Sequence, residues 1–192
     1  RNIWAPEWIY DSQDGSYFIF WSSSFEHEGW QKSRLWYART KDWQTSTPAK
    51  EFFHPAYSVI DGTLWEHAGH YYLFHKEEEF GAEKGERRAV RLAQADQLAG
   101  PYHVFPGPLN GGQISPVIAE GPEIMTDPQQ AGWLLIYDYC MSNGYGVSSS
   151  PDLLHWSVES SVTFPPDARH GCFAPLTEAD AKRLHERFDH GQ

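Results

Sequence analysis

The chain has 192 residues and a mass of 22.0 kDa, a length typical of one domain rather than two. Aromatic residues make up 16% of it, which excludes disorder for most of the chain because disordered segments lack the side chains that build a core. The 26 acidic residues outnumber the 15 Lys and Arg, and this excess of negative charge argues against nucleic acid or anionic membranes as partners. A soluble domain is expected, and the sequence does not choose between secretion and the cytoplasm. Cys140 and Cys172 allow at most one disulfide, and two separate thiols are the simpler expectation.

Three segments of the chain, residues 4–24, 59–79 and 119–140, share one pattern. Each begins with small, Pro, Gly or acidic residues, continues as a short apolar strand, turns through polar residues that include Gly, and returns as an aromatic run. This pattern is typical of a β-hairpin. The chain therefore contains an internal repeat of hairpins.

A third strand follows each hairpin, at residues 34–38, 89–93 and 144–148. If Trp36, Val90 and Tyr145 are equivalent, the repeats are spaced by 54 and 55 residues. A turn and an aromatic residue then precede a fourth strand, at Trp43, Tyr102 and Trp156. Four-stranded antiparallel units at this period predict the blades of a β-propeller, and a β-sandwich of similar hairpins is the alternative.

The predicted domain organisation is therefore all-β. Residues 1–176 form a partial propeller of about three blades plus the inner strand of a further blade, with repeats over about 4–56, 59–106 and 119–165 and an inner strand over about 169–176. Residues 177–192 form a short helix and tail, because Thr177 and Asp180 resemble a capping pair and Ala181, Leu184 and Phe188 share one helical face.

The acidic residues at the repeat starts are the candidates for chemistry: Glu7, Asp61, Glu120 and Glu123. The first strand of each propeller blade lines the central channel, so these carboxylates converge although they are far apart in sequence. Two carboxylates in one channel are the groups that glycoside hydrolysis needs, one as acid and the other to activate water or attack the sugar. The alternative is that these acids accept backbone hydrogen bonds in turns.

Four strings resemble glycoside hydrolase family 43, in this order: WAPE at 4–7, VIDGTLW at 59–65, AEGPEIM at 119–125 and RHG at 169–171. The resemblance extends over the chain to about residue 181. It implies a five-bladed propeller, an inverting mechanism, and activity on arabinose- or xylose-containing plant oligosaccharides or polysaccharides, since the family contains mainly arabinofuranosidases, arabinanases and xylosidases.

The resemblance also implies roles for individual residues. Glu120 is the general acid, and Asp61 orients it and modulates its pKa, which crowding by Asp61 should raise. His170 helps to organise the sugar, directly, through water or beside a bound calcium ion, although no cofactor is certain. Trp4 forms part of the sugar-facing wall, whereas Glu7 and Glu123 are expected to be structural.

The remaining expectations concern aromatic, histidine and acidic side chains. Trp65 and Phe173 offer flat apolar faces to a sugar, and packing between blades is the alternative for each. Other histidines, among them His75, are expected at the solvated rim, and residues 77–79, a run of three Glu, are expected to form a solvated loop.

The general base of the family, an Asp upstream of the WAPE string, has no counterpart in these residues. Three explanations are considered: a fragment of a longer enzyme, a short form that completes its site as a homo-oligomer or with a partner chain, and a degenerate propeller that binds glycans without hydrolysing them. The last is the alternative function.

Overall fold

The computed structural model describes residues 1–109, 111–142, 144–158, 162–165, 168 and 170–188. Within them, three four-stranded antiparallel sheets are formed, together with a short 3-10 helix, Glu26–Glu28, and a C-terminal helix, α1 (Glu178–Phe188). Cys140 and Cys172 are free thiols. Among the described residues, no helix is long and apolar enough to cross a membrane.

The strands follow the predicted order, and each sheet contains four that are consecutive in the chain. The first sheet consists of β1 (Trp4–Asp11), β2 (Ser16–Ser23), β3 (Arg34–Thr40) and β4 (Lys50–Phe53). The second consists of β5 (Val59–His67), β6 (His70–Glu77), β7 (Ala89–Ala95) and β8 (His103–Phe105). The third consists of β9 (Ala119–Thr126), β10 (Trp133–Tyr139), β11 (Tyr145–Ser150) and β12 (Ser157–Val158). The three predicted hairpins and their third and fourth strands are confirmed.

Consecutive sheets pack against each other through two apolar cores. Because side chains alternate between the faces of a strand, Phe18 and Phe20 of β2 point to one side, where they pack with Leu64 and Leu73 of the second sheet. The other face of the second sheet packs on the third, through side chains such as Phe74, Leu92, Leu135 and Tyr137. The second sheet is thus covered on both faces, and every residue of β6 except the first is buried.

This burial of β6 corrects the expectation for His75. The side chain is fully buried, and its Nε2 lies 2.8 Å from the hydroxyl of Tyr57. Burial disfavours the charged imidazolium and lowers the pKa of His75 to about 3. The residue belongs to the core because a strand between two covered faces has no solvated side.

The expectation of a solvated loop is also wrong for Glu77, which is the last residue of β6 and is buried. Its carboxylate accepts hydrogen bonds from Arg87 Nε at 2.6 Å and from Arg91 Nε at 2.5 Å. The two guanidinium groups offset the free-energy cost of removing this charge from water. Without such partners a buried carboxylate would destabilise the fold. Glu78 and Glu79 are partly buried and also carry ion partners.

The first sheet differs from the second in that one face is exposed. We call the side chains of Trp8, Tyr10, Tyr17 and Trp43 the outer aromatic face; their rings form a connected cluster with centroids 4.8–5.7 Å apart. β1 alternates between exposed and partly buried residues, whereas the first six residues of its equivalent, β5, are all buried. No described sheet covers the outer aromatic face.

The C-terminal segment departs from expectation at the predicted inner strand. Residues 170–176 form no strand, and Arg169 lies outside the described residues. A strand needs a neighbour to pair its backbone groups, and the described part of the chain places none beside this segment.

Helix α1 begins as predicted, with the Asp180 N–H donating to Thr177 Oγ1 at 3.1 Å. It buries none of its residues, so the predicted apolar face with Leu184 and Phe188 is exposed. Residues 189–192 of the expected tail lie outside the described part of the chain.

Candidate active site

The first strands of the three sheets each contain an irregularity at the same place. Pairing with the second strand shifts between Trp4 and Glu7 in β1, between Ile60 and Thr63 in β5, and opposite Ile136 and Asp138 in β9. At these bulges Ala5, Asp61 and Gly121 adopt left-handed φ values of 44°, 50° and 54°. A bulge changes the direction in which neighbouring side chains point. The three bulges bring equivalent positions of the repeats together.

Asp61 lies at the bulge of the second sheet and is buried. Its Oδ2 accepts a hydrogen bond of 3.3 Å from the backbone N–H of Gly121, at the bulge of the third sheet. Burial raises the pKa of Asp61, and the charge of Lys76 and the Gly121 hydrogen bond only partly oppose this effect. The left-handed φ of an aspartate is a strained conformation that commonly occurs at functional sites.

Glu120 precedes the bulge of the third sheet and contacts a buried lysine. Lys76 Nζ lies 2.8 Å from Glu120 Oε2 and 2.7 Å from Glu78 Oε2, and the lysine side chain is almost inaccessible to solvent. Burial opposes the charged ammonium, but the hydrogen bonds to the two carboxylates outweigh it and raise the pKa of Lys76. The ammonium therefore stays charged and is shared between Glu78 and Glu120.

His170 is joined to the third sheet by Asp138, which is buried in β10. Asp138 Oδ2 accepts a 2.5 Å hydrogen bond from His170 Nδ1 and a 3.3 Å bond from the His170 backbone N–H. The contact with the Asp138 carboxylate raises the pKa of His170 more than its partial burial lowers it. Like Asp61, His170 has a left-handed φ, of 47°.

Lys76 and Asp138 occupy equivalent positions of the repeat. Lys76 pairs with Ile60 across the second hairpin, and Asp138 pairs with Glu120 across the third. Each side chain reaches forward to the next repeat, Lys76 to Glu120 and Asp138 to His170. The second strands thus connect the groups that the first strands bring to the centre.

Glu120, Asp138 and His170 could together hold a metal ion, since one ligand atom of each lies within 4.8 Å of the others. Calcium takes six to eight oxygen ligands, whereas this set offers one imidazole and two carboxylates. His170 Nδ1 is already engaged by Asp138, and Lys76 places a positive charge on Glu120. The donor set does not fit calcium.

A second layer of side chains lies at the positions that follow the bulges: Glu7, Thr63 and Glu123. The carboxyl group of Glu7 is hydrogen-bonded to the side chains of Glu123 and Thr63. Burial, followed by the charge and hydrogen bond of Glu123, raises the pKa of Glu7 to about 9. Burial also raises the pKa of Glu123. Ionising both of two adjoining carboxyl groups costs free energy because their charges repel. Glu7 therefore keeps its proton and donates it in a hydrogen bond to Glu123.

A central pocket of about 330 Å³ is lined by Glu7, Asp61, Glu123 and His170 among others, whereas Glu120 lies beside it and is not part of its lining. The size is at the lower end of the range for small-molecule sites. A smaller cavity of about 110 Å³ lies beside it and is lined by Phe173 and His170 among others. Buried carboxyl groups with raised pKa values in a concave pocket are typical of sites for acid–base chemistry.

The predicted aromatic residues occupy three different places. Phe173 lines the smaller cavity beside His170. Trp4 lines a separate groove between the first two sheets rather than the central pocket. Trp65 packs against the core between the second and third sheets and does not line the central pocket, because it lies on the regular part of β5 beyond the bulge.

Sequence reasoning missed three features of this site: the Glu7–Glu123 pair, Lys76 and Asp138. Aligning the hairpins on the residue before each bulge would have placed Glu7, Thr63 and Glu123 at one position of the repeat. The same alignment, with a gap for the shorter turn of the second hairpin, would have made Lys76 and Asp138 equivalent. The contacts between repeats had no comparable signal.

The first strands of the three sheets bring the carboxyl groups of Glu7, Asp61 and Glu123 to one pocket. The family model described as a probable glycosyl hydrolase domain matches residues 1–182. The chain belongs to this family, which is related to glycoside hydrolase family 43. No curated protein sequence matches the chain.

Solved structures with a similar fold come from several bacteria. The GH43_1 enzyme from Xanthomonas citri complexed with xylotriose has a TM-score of 0.60 and 14% identity, over 83% of this chain and 54% of that one. The α-L-arabinofuranosidase from Lactobacillus brevis has a TM-score of 0.56 and 17% identity, over 83% and 55%. The endo-arabinase from Bacteroides thetaiotaomicron has a TM-score of 0.56 and 16% identity, over 84% and 57%. The fold is therefore similar to that of propeller glycosidases, and the chain spans about half the length of the solved structures that it matches.

Proposed function

We propose that the protein is an O-glycoside hydrolase of the family 43 type, acting with inversion on arabinose- or xylose-containing plant oligosaccharides or polysaccharides. Family membership supports the reaction class. The observation that carries the proposal is the convergence of Asp61 and Glu120 at neighbouring bulges, where Asp61 is bonded to the residue that follows Glu120.

In this proposal Glu120 is the general acid that protonates the glycosidic oxygen. Asp61 accepts the Gly121 N–H and thereby orients the backbone on which Glu120 is carried. His170, positioned by Asp138, faces the central pocket and organises the sugar. Trp4 and Phe173 contribute apolar faces in the adjoining cavities.

Lys76 imposes a condition on this mechanism. Its ammonium neutralises the charge of Glu120 in the free protein, so Glu120 can hold a proton for the leaving group only if the ammonium turns towards Glu78. Glu78 Oε2 already lies 2.7 Å from Nζ, so this change needs little movement. Binding of the substrate next to Glu120 would favour it.

The general base comes, in this proposal, from outside the Glu120 cluster. Inverting enzymes separate their two carboxyl groups by about 6.5–9.5 Å to admit a water molecule. Asp138 has a carboxylate oxygen within 4.8 Å of Glu120, which is too close for this role. A second copy of the chain or a further segment of polypeptide would supply the base.

We further propose that the three sheets are blades of a five-bladed propeller. The outer aromatic face supports this view, because a further four-stranded sheet would cover it as the first sheet covers the second. Native mass measured beside the intact mass of the chain tests the source of that sheet. A 22.0 kDa monomer that hydrolyses glycosides would contradict a base contributed by a second copy.

A glycan-binding domain without activity is the second candidate function. The Lys76–Glu120 ion pair favours it, since a carboxylate held by a buried ammonium is poorly suited to donate a proton. The pocket and its aromatic neighbours would serve binding equally well.

One set of variants separates these candidates. Sugar release from aryl arabinofuranosides and aryl xylosides is measured for the parent and for Glu120→Gln, Asp61→Asn and the control Glu66→Gln. Glu66 lies on β5 with Asp61 but is exposed. We expect Glu120→Gln to lower kcat by about 10²–10⁴-fold, Asp61→Asn to lower it as well, and the control to leave it unchanged. Proton NMR of the released sugar identifies the anomer and tests inversion.

The results of these assays distinguish a glycoside hydrolase from a glycan-binding domain. Undiminished release by Glu120→Gln would refute its assignment as the acid. No release from any form, together with measurable binding of oligosaccharides, would favour the glycan-binding domain.

A further inference from the structure

A groove of about 760 Å³ lies between the loops of the first and second sheets, outside the central pocket. It is lined by the start of β1 and by the loop that precedes β3, including Trp4 and Trp30. The opposite wall is formed by the start of β5 and by the loop after β6, including Ser58 and Phe80. The volume lies within the range of about 300–1,000 Å³ that is typical of ligand sites.

The groove presents three exposed aromatic side chains: Trp4, Trp30 and Phe80. Aromatic rings with a free apolar face can cover the C–H face of a sugar ring, whereas an isolated surface ring gains nothing from exposure to water. The guanidinium of Arg88 lies 4.8 Å from the centroid of the Phe80 ring and holds this ring in place. The Trp30 backbone N–H donates to Phe25 O at 3.0 Å, which fixes the loop that carries it.

Polar groups between the rings complete a lining suited to a neutral sugar chain. Gln31 and Ser58 supply amide and hydroxyl groups, which match the hydroxyls of a sugar. Each charged side chain of the groove already has an ion partner: Glu78 pairs with Lys76, and Glu79 pairs with Lys84. A charged ligand would have to displace one of these partners, so a neutral ligand fits better.

The groove adjoins the candidate active site, although the two cavities share no lining residue. Ile60, on its wall, directly precedes Asp61. Glu78, also on its wall, shares the ammonium of Lys76 with Glu120. A sugar chain whose scissile bond lies at Glu120 can therefore extend from the centre into the groove.

We infer that this groove, with Trp30 and Phe80 as its principal contacts, binds the sugar units of a neutral pentose oligosaccharide that adjoin the unit held at the centre. The inference rests on the proposed function for the position of the bond that is cleaved. The binding itself does not require hydrolysis. Loops between strands commonly carry such specificity because the sheets hold them rigidly.

Calorimetric titration with linear xylo- and arabino-oligosaccharides, from di- to hexasaccharides, tests the inference. The titrated protein carries Glu120→Gln so that no substrate is consumed. Trp30→Ala and Phe80→Ala are compared with Trp43→Ala in the same background. Trp43 is a close match for Trp30, with 53% against 50% exposure and φ values of 58° and 59°, but it lies on the outer aromatic face.

We expect the affinity of the parent to rise with chain length, and Trp30→Ala and Phe80→Ala each to weaken binding of the longer oligosaccharides about tenfold. Trp43→Ala should bind like the parent. With Glu120 intact, Trp30→Ala should lower kcat/KM more for a long oligosaccharide than for an aryl monosaccharide glycoside, because the oligosaccharide contacts the groove over more of its length. Two groove variants are used so that a folding defect in one, detected by circular dichroism, leaves the other as the test.

The inference is overturned if both groove variants bind the long oligosaccharides as Trp43→Ala does, or if the parent binds none of these oligosaccharides. Loss of binding in the groove variants of a protein that hydrolyses nothing would support the groove and reject the proposed activity. Full activity on aryl glycosides with no effect of either groove variant on long oligosaccharides would reject the groove alone.

Discussion

The raised pKa of Glu7 predicts how the free energy of unfolding depends on pH. In the unfolded chain the carboxyl group has its ordinary pKa of 4.5, and in the folded protein burial and the neighbouring Glu123 raise the pKa to about 9. The folded state therefore binds one more proton than the unfolded state between these two values. Stability from this group is fully present below pH 4.5 and is lost as pH rises towards 9. The slope is about 1.4 kcal/mol per pH unit, or about 4 kcal/mol between pH 5 and pH 8.

The variant Glu7→Gln removes this titration while preserving both hydrogen bonds. The amide N–H₂ of glutamine can donate to Glu123 as the protonated carboxyl does, and its carbonyl can accept from Thr63. We expect the variant to gain stability relative to the parent by about 1.4 kcal/mol for each pH unit above 5, because only the parent must retain a proton against rising pH. The free energy of unfolding is measured by urea denaturation at intervals from pH 5 to pH 8 and at constant ionic strength.

Glu26→Gln, at an exposed position in the short 3-10 helix, is the control and should give a curve parallel to that of the parent. If the curve of Glu7→Gln is also parallel to the parent, Glu7 does not hold a proton in the folded state and the argument fails. A variant that is less stable by the same amount at every pH would lead to the same conclusion.

Three further changes have definite expected outcomes. Lys76→Met leaves the two partly buried carboxylates that share its ammonium without this cation, so urea denaturation at pH 7 should find the protein less stable by up to about 3 kcal/mol. An unchanged midpoint and slope would show that the ion pair is dispensable. Gly146→Ala places a Cβ 2.3 Å from a ring carbon of the buried Tyr137. This overpacking should lower the stability of the fold by about 1–3 kcal/mol. Thermal unfolding would detect the loss, and an unaltered melting temperature would contradict the prediction. Asp138→Asn removes the carboxylate whose hydrogen bond and charge raise the pKa of His170. An NMR titration of the imidazole should therefore give a lower pKa in the variant, and equal pKa values would exclude Asp138 as the cause.

Much of the fold could be predicted because the repeat is local. Each hairpin is specified by the alternation of apolar and polar residues and by its turn residues, all within a short stretch of the chain. The aromatic residues Trp43, Tyr102 and Trp156 correctly predicted that a fourth strand follows each of them. The inner strand expected at 169–176 was not predictable in this way, since a strand exists only when another strand is there to pair with it.

The burial of charged and polar residues was the main error. His75 and Glu77 look like surface residues by type, and their environment depends on β6 lying between two other sheets. Chemical type sets the cost of burying a side chain, but only the packing of the sheets decides whether partners such as Tyr57, Arg87 and Arg91 are present to offset that cost.

The candidate site shows the same division between sequence and structure. The motifs that carry Asp61, Glu120 and His170 are contiguous strings, so the sequence by itself determined which groups are candidates for chemistry and that they belong to repeated first strands. Only the tertiary structure decided that Lys76 neutralises Glu120 and that Asp138 holds His170. It also decided that Glu7 is buried against Glu123, which raises the pKa of Glu7. These contacts join different repeats, and their distances are set by the bulges and by the packing of one sheet on the next, which no local pattern of residues specifies.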